Sequence, residues 1–120
     1  MILAIILVVL LVIALFMVFP FITVVGDSMY PTYKDHEHLR GFRFYPRKRI
    51  KVGMVICYKH ENKAVIKRVR KVRISSWKCV PPQFYCVGDN AEVSYDSRNY
   101  GYVSATDVIC VPLDQRPKSE

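Results

Sequence analysis

Two residues from separate segments could together perform acyl-transfer chemistry, and the first is Ser28. It lies in VVGDSMYPT, where Gly26 before it and Pro31 after it favour a tight, exposed turn. A serine hydroxyl is a weak nucleophile, so catalysis needs a neighbouring base and hydrogen-bond donors for the oxyanion. Because Asp27 could equally cap this turn, Ser28 could also be a turn residue and nothing more. The stretch identifies a candidate nucleophile and leaves its role open.

Lys67 is the candidate base, because valines flank it on one face of a predicted strand. Alternate residues of a strand share a face, so Val65, Lys67 and Val69 in AVIKRVRKVR lie together. Burial among apolar groups lowers the pKa of a lysine by up to about 3 to 5 units and enriches the neutral amine, which can act as a base. Alternatively, the stem of Lys67 covers apolar surface while its ammonium stays in water.

A third stretch, VGDNAEVSYDSRNYGYV at residues 87–103, could orient the base. It offers the hydroxyl of Ser94, and Asp96 precedes Arg98 by two residues. An Asp96–Arg98 ion pair would make such a loop rigid. The same composition is also typical of an Asx-rich surface turn, and the residues alone do not decide between the two.

The elements that must position these residues begin with an apolar N-terminal segment. The first 26 residues contain no charged residue and no histidine, and 18 consecutive apolar residues run from Ile2 to Phe19. As a helix this run is about 27 Å long, close to the thickness of a bilayer core once Phe21 and Ile22 are added. We predict a transmembrane anchor helix over residues 1–25. A cleaved secretory signal would need a positively charged start and a small-x-small cleavage site.

The remaining residues carry every charge, a net +8, and suffice for one core. Apolar and polar residues alternate with period two at 54–59, 64–74 and 108–112, between Gly, Pro, Asn and Asp. We therefore predict a mainly β protein, with a small antiparallel sheet or barrel-like domain at residues 26–113. Residues 114–120 are expected to form a polar tail, in which QRPKSE at 115–120 is unstructured.

Basic residues are concentrated in two segments, Arg40 to Lys51 and Lys63 to Arg73, each with six Lys or Arg and no acid. Such segments are typical of contacts with anionic membrane surfaces or polymers. They are equally typical of a sheet edge that charge protects from pairing with other chains.

Cysteines and histidines leave further alternatives. Cys79 and Cys86 flank a predicted hairpin end, where they could form a disulfide or remain reduced thiols. Cys57 and Cys110 lie in apolar strands, and we expect them to pack in the core. His36 and His38 could share a metal, but we expect a solvated loop because no third ligand is near in sequence.

Three motifs, GDSMYPT, VIKRV and GDN…SYDSR…GYV, in this order behind an apolar N-terminus, resemble the type I signal peptidases. These are membrane serine proteases with a Ser-Lys dyad and no metal or other cofactor. The resemblance implies that Ser28 is the nucleophile and Lys67 the general base. It also implies that Ser94 hydrogen-bonds the lysine, and that the residues supporting the site are Gly26, Met29, Pro31, Asp96 and Arg98.

The sequence departs from this family at two positions. Gly26 stands where some members have a hydroxyl that donates to the oxyanion, so a second donor is not identified. Met54 stands where the family has a turn aspartate, and the short segment between Val72 and Val87 leaves little room for the large β insertion of many relatives.

The activity that the resemblance implies is the removal of signal peptides, with small residues one and three positions before the cut, from translocated preproteins. The catalytic domain would then lie on the extracytoplasmic side of the cell membrane. Its partners would be the signal peptides and membrane lipid, and no nucleic acid is expected. Lys34, Arg40 and Arg43, close behind the anchor, favour the opposite side. Two alternatives are a tethered β module that binds anionic lipid or polymer, and a peptidase dedicated to one precursor.

Overall fold

A computed structural model describes residues 1–119 as an N-terminal helix followed by a seven-stranded antiparallel sheet. The helix α1 spans Ile2–Val18, and a short helix α2 spans Ser97–Tyr100. The strands are β1 (Phe21–Thr23), β2 (His38–Phe42), β3 (Val55–His60), β4 (Lys63–Arg73), β5 (Gln83–Val87), β6 (Val103–Ser104) and β7 (Val108–Pro112).

The sheet order is β1-β2-β7-β3-β4-β5-β6. The mainly β class is confirmed, whereas the sheet is open, with β1 and β6 at its edges, and does not close into a barrel. The three segments with period-two alternation correspond to β3, β4 and β7, which confirms them as strands.

The helix α1 is apolar along its whole length and buries none of its residues against the sheet. It ends at Val18 because Pro20 has no N–H to continue the helix and restricts the residue before it. Phe21 and Ile22, assigned to the helix from their apolarity, instead belong to β1 and pair with Arg40 and Leu39 of β2. The helix is therefore shorter than the predicted segment 1–25. No helix within residues 1–119 combines the length and apolarity needed to cross a membrane.

Both faces of the sheet are covered, because β3 and β4 alternate their side chains between two apolar clusters. Ile56, Tyr58 and Val69 belong to one cluster, whereas Cys57 and Ile66 belong to the other. The second cluster also contains Met29 and Tyr33, which follow Ser28 in the chain; they therefore anchor the loop after the serine in the core.

All four cysteines are free thiols, so Cys79 and Cys86 do not form a disulfide. Cys86 lies fully buried in β5 and Cys79 is exposed in the loop before it. Burial raises the pKa of the Cys86 thiol to about 12. Cys57 and Cys110 are buried as directly paired residues of β3 and β7, which confirms their expected place in the core.

Between residues 114 and 119 the polar tail has no helix or strand, yet it is held by hydrogen bonds to the rest of the fold. Gln115 brackets Val55 at the start of β3: its Nε2 donates to the Val55 carbonyl at 2.8 Å, and its Oε1 accepts from the Val55 N–H at 2.7 Å. The expectation of an unstructured tail is therefore wrong for Gln115 and its neighbours, and Glu120 lies outside the described residues.

Candidate active site

The fold brings Ser28 and Lys67 into direct contact. Ser28 lies in the turn after β1 and Lys67 in the middle of β4, yet Lys67 Nζ and Ser28 Oγ are 2.6 Å apart. Val65 and Val69, which flank Lys67 on its face of β4, both pack against the first apolar cluster. Lys67 is only 5% exposed, so the burial predicted from the two valines is confirmed.

The environment of Lys67 favours a neutral amine. Burial lowers the pKa of Lys67, and the positive charge of Arg98 acts in the same direction. The negative charge of Asp96 opposes both by raising the pKa, but the net direction is downward. A lysine held in this way has a larger neutral fraction near neutral pH than one in water, as a general base requires.

The turn that carries Ser28 is held by the loop after β5. The Ser28 carbonyl accepts a hydrogen bond from the Asn90 N–H at 2.8 Å, and Asn90 Nδ2 donates to the Asp27 carbonyl at 3.1 Å. Within residues 1–119 the Ser28 N–H donates no hydrogen bond. It is therefore available to an oxyanion formed next to Ser28 Oγ.

Gly88 permits the close approach of these two loops. A Cβ atom at this position would lie 2.6 Å from the Ser28 carbonyl oxygen and would overlap Ser94 Oγ. Any larger residue would push the loops apart, so glycine is required here by packing against the candidate nucleophile.

Asp96 organises the loop behind the dyad from a fully buried position. It accepts hydrogen bonds from the Gly88 N–H at 2.8 Å and from Arg98 Nη2 at 2.6 Å, and it also accepts from the Arg98 N–H and Nε at 3.0 Å. Burial alone would raise the pKa of Asp96, but these donors, chiefly Arg98, hold it well below its ordinary value. The predicted ion pair between Asp96 and Arg98 is confirmed.

Ser94 is oriented differently from what the family resemblance implies. Its hydroxyl donates to Asp96 Oδ2 at 2.5 Å, and within the described residues no hydrogen bond joins it to Lys67. Ser94 nevertheless lies beside the Ser28 turn, as the overlap at Gly88 shows. Its observed contact is with the carboxylate that acts on the pKa of Lys67, rather than with the lysine itself.

A second buried ion pair lies next to the base, and sequence reasoning did not find it. Arg68 donates through Nε and Nη2 to both carboxylate oxygens of Asp89 at 2.8 Å, and through Nη1 to the Gly53 carbonyl at 2.7 Å. The Thr32 hydroxyl donates to Asp89 Oδ2 at 2.7 Å. Asp89 thus links β4 to the loop after Ser28. The Gly-Asp-Asn sequence at 88–90 was the available signal.

The supporting residues that flank Ser28 act through the backbone and the core. Gly26 has φ +86°, a left-handed conformation that favours glycine, and its N–H donates to Asp35 Oδ1 at 2.8 Å. That N–H is therefore not free to serve as a second oxyanion donor. Met29 is fully buried, and Pro31 follows a cis peptide bond.

A cleft of about 200 Å³ leads to the dyad. Its walls are two extended segments, residues 20–25 with β1 and the first half of β4, and its other lining residues are Ser28, Cys57, Ile109 and Cys110. On its β5 side, β4 is paired only from Arg68 onward. The residues of β4 before Arg68 therefore have backbone N–H and C=O groups on that side that are not paired with β5, and an extended peptide could form hydrogen bonds with them.

Other candidate groups lie away from this cleft or do not converge. His36 and His38 are both exposed, and His38 Nδ1 is 3.1 Å from Thr23 Oγ1. The described part of the chain contains no cluster of three side chains able to hold a metal ion. Comparison with known proteins gives no assignment, because neither the models of protein families nor the curated proteins contain a match.

Proposed function

We propose that the chain is a membrane-bound serine endopeptidase that removes signal peptides through a Ser28/Lys67 dyad, as in the type I signal peptidases that it resembles. The observation that carries this proposal is the 2.6 Å contact between Ser28 Oγ and the buried amine of Lys67. A base and its nucleophile require a contact of this length, and within residues 1–119 Ser28 Oγ is the one hydrogen-bond partner of Lys67 Nζ.

The first half of the proposed reaction forms an acyl-enzyme. Neutral Lys67 takes the proton of Ser28 Oγ as the oxygen attacks the scissile carbonyl carbon. The Ser28 N–H is the one donor identified for the resulting oxyanion. The Lys67 ammonium then gives its proton to the leaving amine, which departs as the new N-terminus of the mature protein. The signal peptide stays esterified to Ser28.

The second half restores the enzyme. A water molecule loses its proton to neutral Lys67 and attacks the ester carbonyl, and the proton returns to Ser28 Oγ as the signal peptide leaves with a free carboxylate. An amine base, a hydroxyl and a backbone N–H supply all the groups that these steps require. The chemistry therefore calls for no metal and no other cofactor.

The shape of the cleft supports an extended peptide substrate with small side chains. A strand between residues 20–25 and the start of β4 could pair with backbone on both sides, and alternate side chains would enter the apolar cleft. The preference for small residues at positions one and three before the cut is the one that the family resemblance implies, and the cleft of about 200 Å³ is where those side chains would lie.

Membrane attachment is part of the proposal and has its own support. The 17 side chains of α1 are apolar on all sides, and nearly all are exposed in the folded chain. Exposed apolar surface of this extent is unfavourable in water. We assign α1 to the cell membrane, with the sheet on the extracytoplasmic side, where translocated preproteins emerge. Protease protection of intact cells tests the side: digestion only after lysis would place the sheet in the cytoplasm and contradict this assignment.

The decisive experiment is mass spectrometry of a preprotein incubated with detergent-solubilised protein. We compare the parent with Ser28→Ala and Lys67→Ala, and with the matched controls Ser76→Ala and Lys48→Ala, which change exposed residues. We expect cleavage after a small residue by the parent and both controls and none by the dyad variants. Equal cleavage by all five proteins would exclude the dyad, and a panel of unrelated preproteins separates general processing from a peptidase dedicated to one precursor.

A tethered module for anionic lipid or polymer is the alternative. Several of its candidate basic residues are engaged within the fold: Arg40 donates to the Phe19 carbonyl, Arg47 to the Val108 carbonyl, and Arg68 to Asp89. The two basic segments are therefore not free along their length. Salt-sensitive vesicle binding that persists in Ser28→Ala, together with no cleavage by the parent, would favour this alternative.

A further inference from the structure

The residues after β7 form a set of contacts that the proposed mechanism does not use. We name residues 114–119 the tail clasp. It bonds to two places: the start of β3, through Gln115, and the loop from Ser28 to Glu37 that carries the candidate nucleophile. The second set of contacts has no evident purpose in closing the sheet.

Arg116 is the centre of the tail clasp. Its guanidinium donates to the Thr32 carbonyl at 2.8 Å, to both carboxylate oxygens of Glu37, and to Asp114 Oδ2 at 2.6 Å. It also lies over the ring of Tyr33, with 4.7 Å between Cζ and the ring centroid. A planar guanidinium holds its partners in a defined geometry in addition to neutralising their charge, because each of its N–H groups points in a fixed direction.

Tyr33 and Thr32 receive further bonds from the same segment. The hydroxyl of Tyr33, a fully buried residue, donates to the Asp114 carbonyl at 2.6 Å and accepts from the Arg116 N–H at 3.1 Å. The Thr32 hydroxyl accepts from the Ser119 N–H at 3.1 Å while it donates to Asp89. The side chains of Thr32 and Tyr33 are thereby hydrogen-bonded to the tail clasp.

A continuous path of bonds connects Arg116 with the dyad. Thr32 joins the tail clasp to Asp89, and Asp89 holds Arg68, the residue after Lys67. Asn90, the residue after Asp89, donates its N–H to the Ser28 carbonyl. The loop that carries Ser28 is therefore fixed at one end by Asn90 and at the other by Arg116.

We propose that Arg116 is a positioning residue: it holds the loop from Ser28 to Glu37 so that Ser28 Oγ stays at hydrogen-bonding distance from Lys67 Nζ. This inference rests on the proposed function. Arg116 does not line the cleft, so it acts on the geometry of the dyad and not on substrate binding. Displacement of a reacting group by about 1 Å can lower a rate by about a hundredfold.

The test compares Arg116→Ala and Arg116→Lys with Arg49→Ala, which removes an exposed arginine that donates no side-chain hydrogen bond within residues 1–119. For Arg116→Ala we expect kcat per folded molecule to fall by about 10- to 100-fold with KM unchanged. For Arg116→Lys, which keeps the charge without the fork, we expect an intermediate kcat. Arg49→Ala should match the parent. Circular dichroism and thermal melts give the folded fraction.

Amide hydrogen exchange provides a second measurement that does not depend on activity. In Arg116→Ala we expect faster exchange in residues 28–37 and unchanged exchange in β3, which Gln115 still brackets. Unchanged exchange in residues 28–37 would overturn the inference, and so would faster exchange with an unaltered kcat per folded molecule. If the parent cleaves no preprotein, the proposed function fails on its own, and the exchange result still decides whether Arg116 holds this loop.

Discussion

Replacing Asp96 by asparagine tests the electrostatics of the dyad in two independent ways. The first is stability, because the substitution leaves the Arg98 guanidinium without its counter-charge. Removing one partner of a buried ion pair costs about 3 to 5 kcal/mol. The Arg98 side chain is 32% exposed and can recover part of its hydration, so we expect a loss at the lower end, about 3 kcal/mol. That is about a hundredfold in the ratio of folded to unfolded protein.

The second effect of Asp96→Asn is on the base. Asp96 raises the pKa of Lys67 and Arg98 lowers it, so removing the carboxylate charge should lower this pKa further. The proposed reaction requires the neutral amine, and we therefore expect kcat/KM to rise with pH through the pKa of Lys67 in the free protein. We expect the midpoint of this rise to move to lower pH in Asp96→Asn, even though the folded protein is less stable.

Two assays in the same detergent measure these effects: urea unfolding followed by circular dichroism, and a pH profile of kcat/KM for a preprotein. Asp107→Asn, at an exposed position, is the matched control.

The pKa of Asp96 is depressed in the folded state, so the contribution of Asp96 to the stability of the folded protein is complete above the ordinary carboxyl pKa of 3.8 and is lost as the pH falls below that value. A midpoint that stays constant or moves to higher pH would refute this account of Lys67.

Further expectations concern packing, thiol burial and surface exposure. Gly88→Ala should lower both activity and stability, the latter by about 1 to 3 kcal/mol, because its Cβ would lie 2.6 Å from the Ser28 carbonyl oxygen; a denaturation midpoint equal to that of the parent would contradict this contact. An aromatic disulfide reagent at pH 8 should modify Cys79 rapidly and Cys86 only after unfolding, because burial raises the pKa of the Cys86 thiol to about 12. Mass spectrometry of peptides from the native protein identifies the labelled cysteine, and early labelling of Cys86 would be inconsistent with its burial in β5. Trp77 is the single tryptophan and is 76% exposed, so acrylamide should quench most of its fluorescence in detergent, and a shielded signal would mean that the loop after β4 is covered.

Local pattern was sufficient to predict β3, β4, β7 and the burial of Lys67, because these follow from period-two alternation, whereas β1, β2, β5 and β6 were not predicted. Val65 and Val69 are two residues away from Lys67, and their shared face is a property of one strand. The contact between Lys67 and Ser28 was expected only through the family resemblance. No pattern in either segment specifies how β4 and the turn after β1 approach each other.

Features that depend on tertiary pairing could not be predicted from the sequence. Phe21 and Ile22 continue the apolar run, so hydropathy assigned them to the helix, whereas pairing with β2 makes them a strand. Asp89 contacts Arg68 only because β4 and β5 are paired, and this pairing begins where Arg68 lies opposite Val87. Polarity predicts an unstructured tail at 115–120, yet Gln115 and Arg116 each form hydrogen bonds with residues that precede them by 60 or more positions.

The position of the tail clasp has a consequence for the order of events during synthesis. Arg116 follows Thr32 by 84 residues, and every strand of the sheet is translated before it. Cys110 of β7 belongs to the same apolar cluster as Met29 and Tyr33, so the loop with Ser28 completes its core contacts only once the last strand is in place, and its bonds from Arg116 and Ser119 come from residues later still. If Arg116 positions the dyad, a polypeptide that stops before residue 116 would still contain every strand of the sheet, yet it would lack the contacts that hold Ser28 in the geometry the proposed hydrolysis needs.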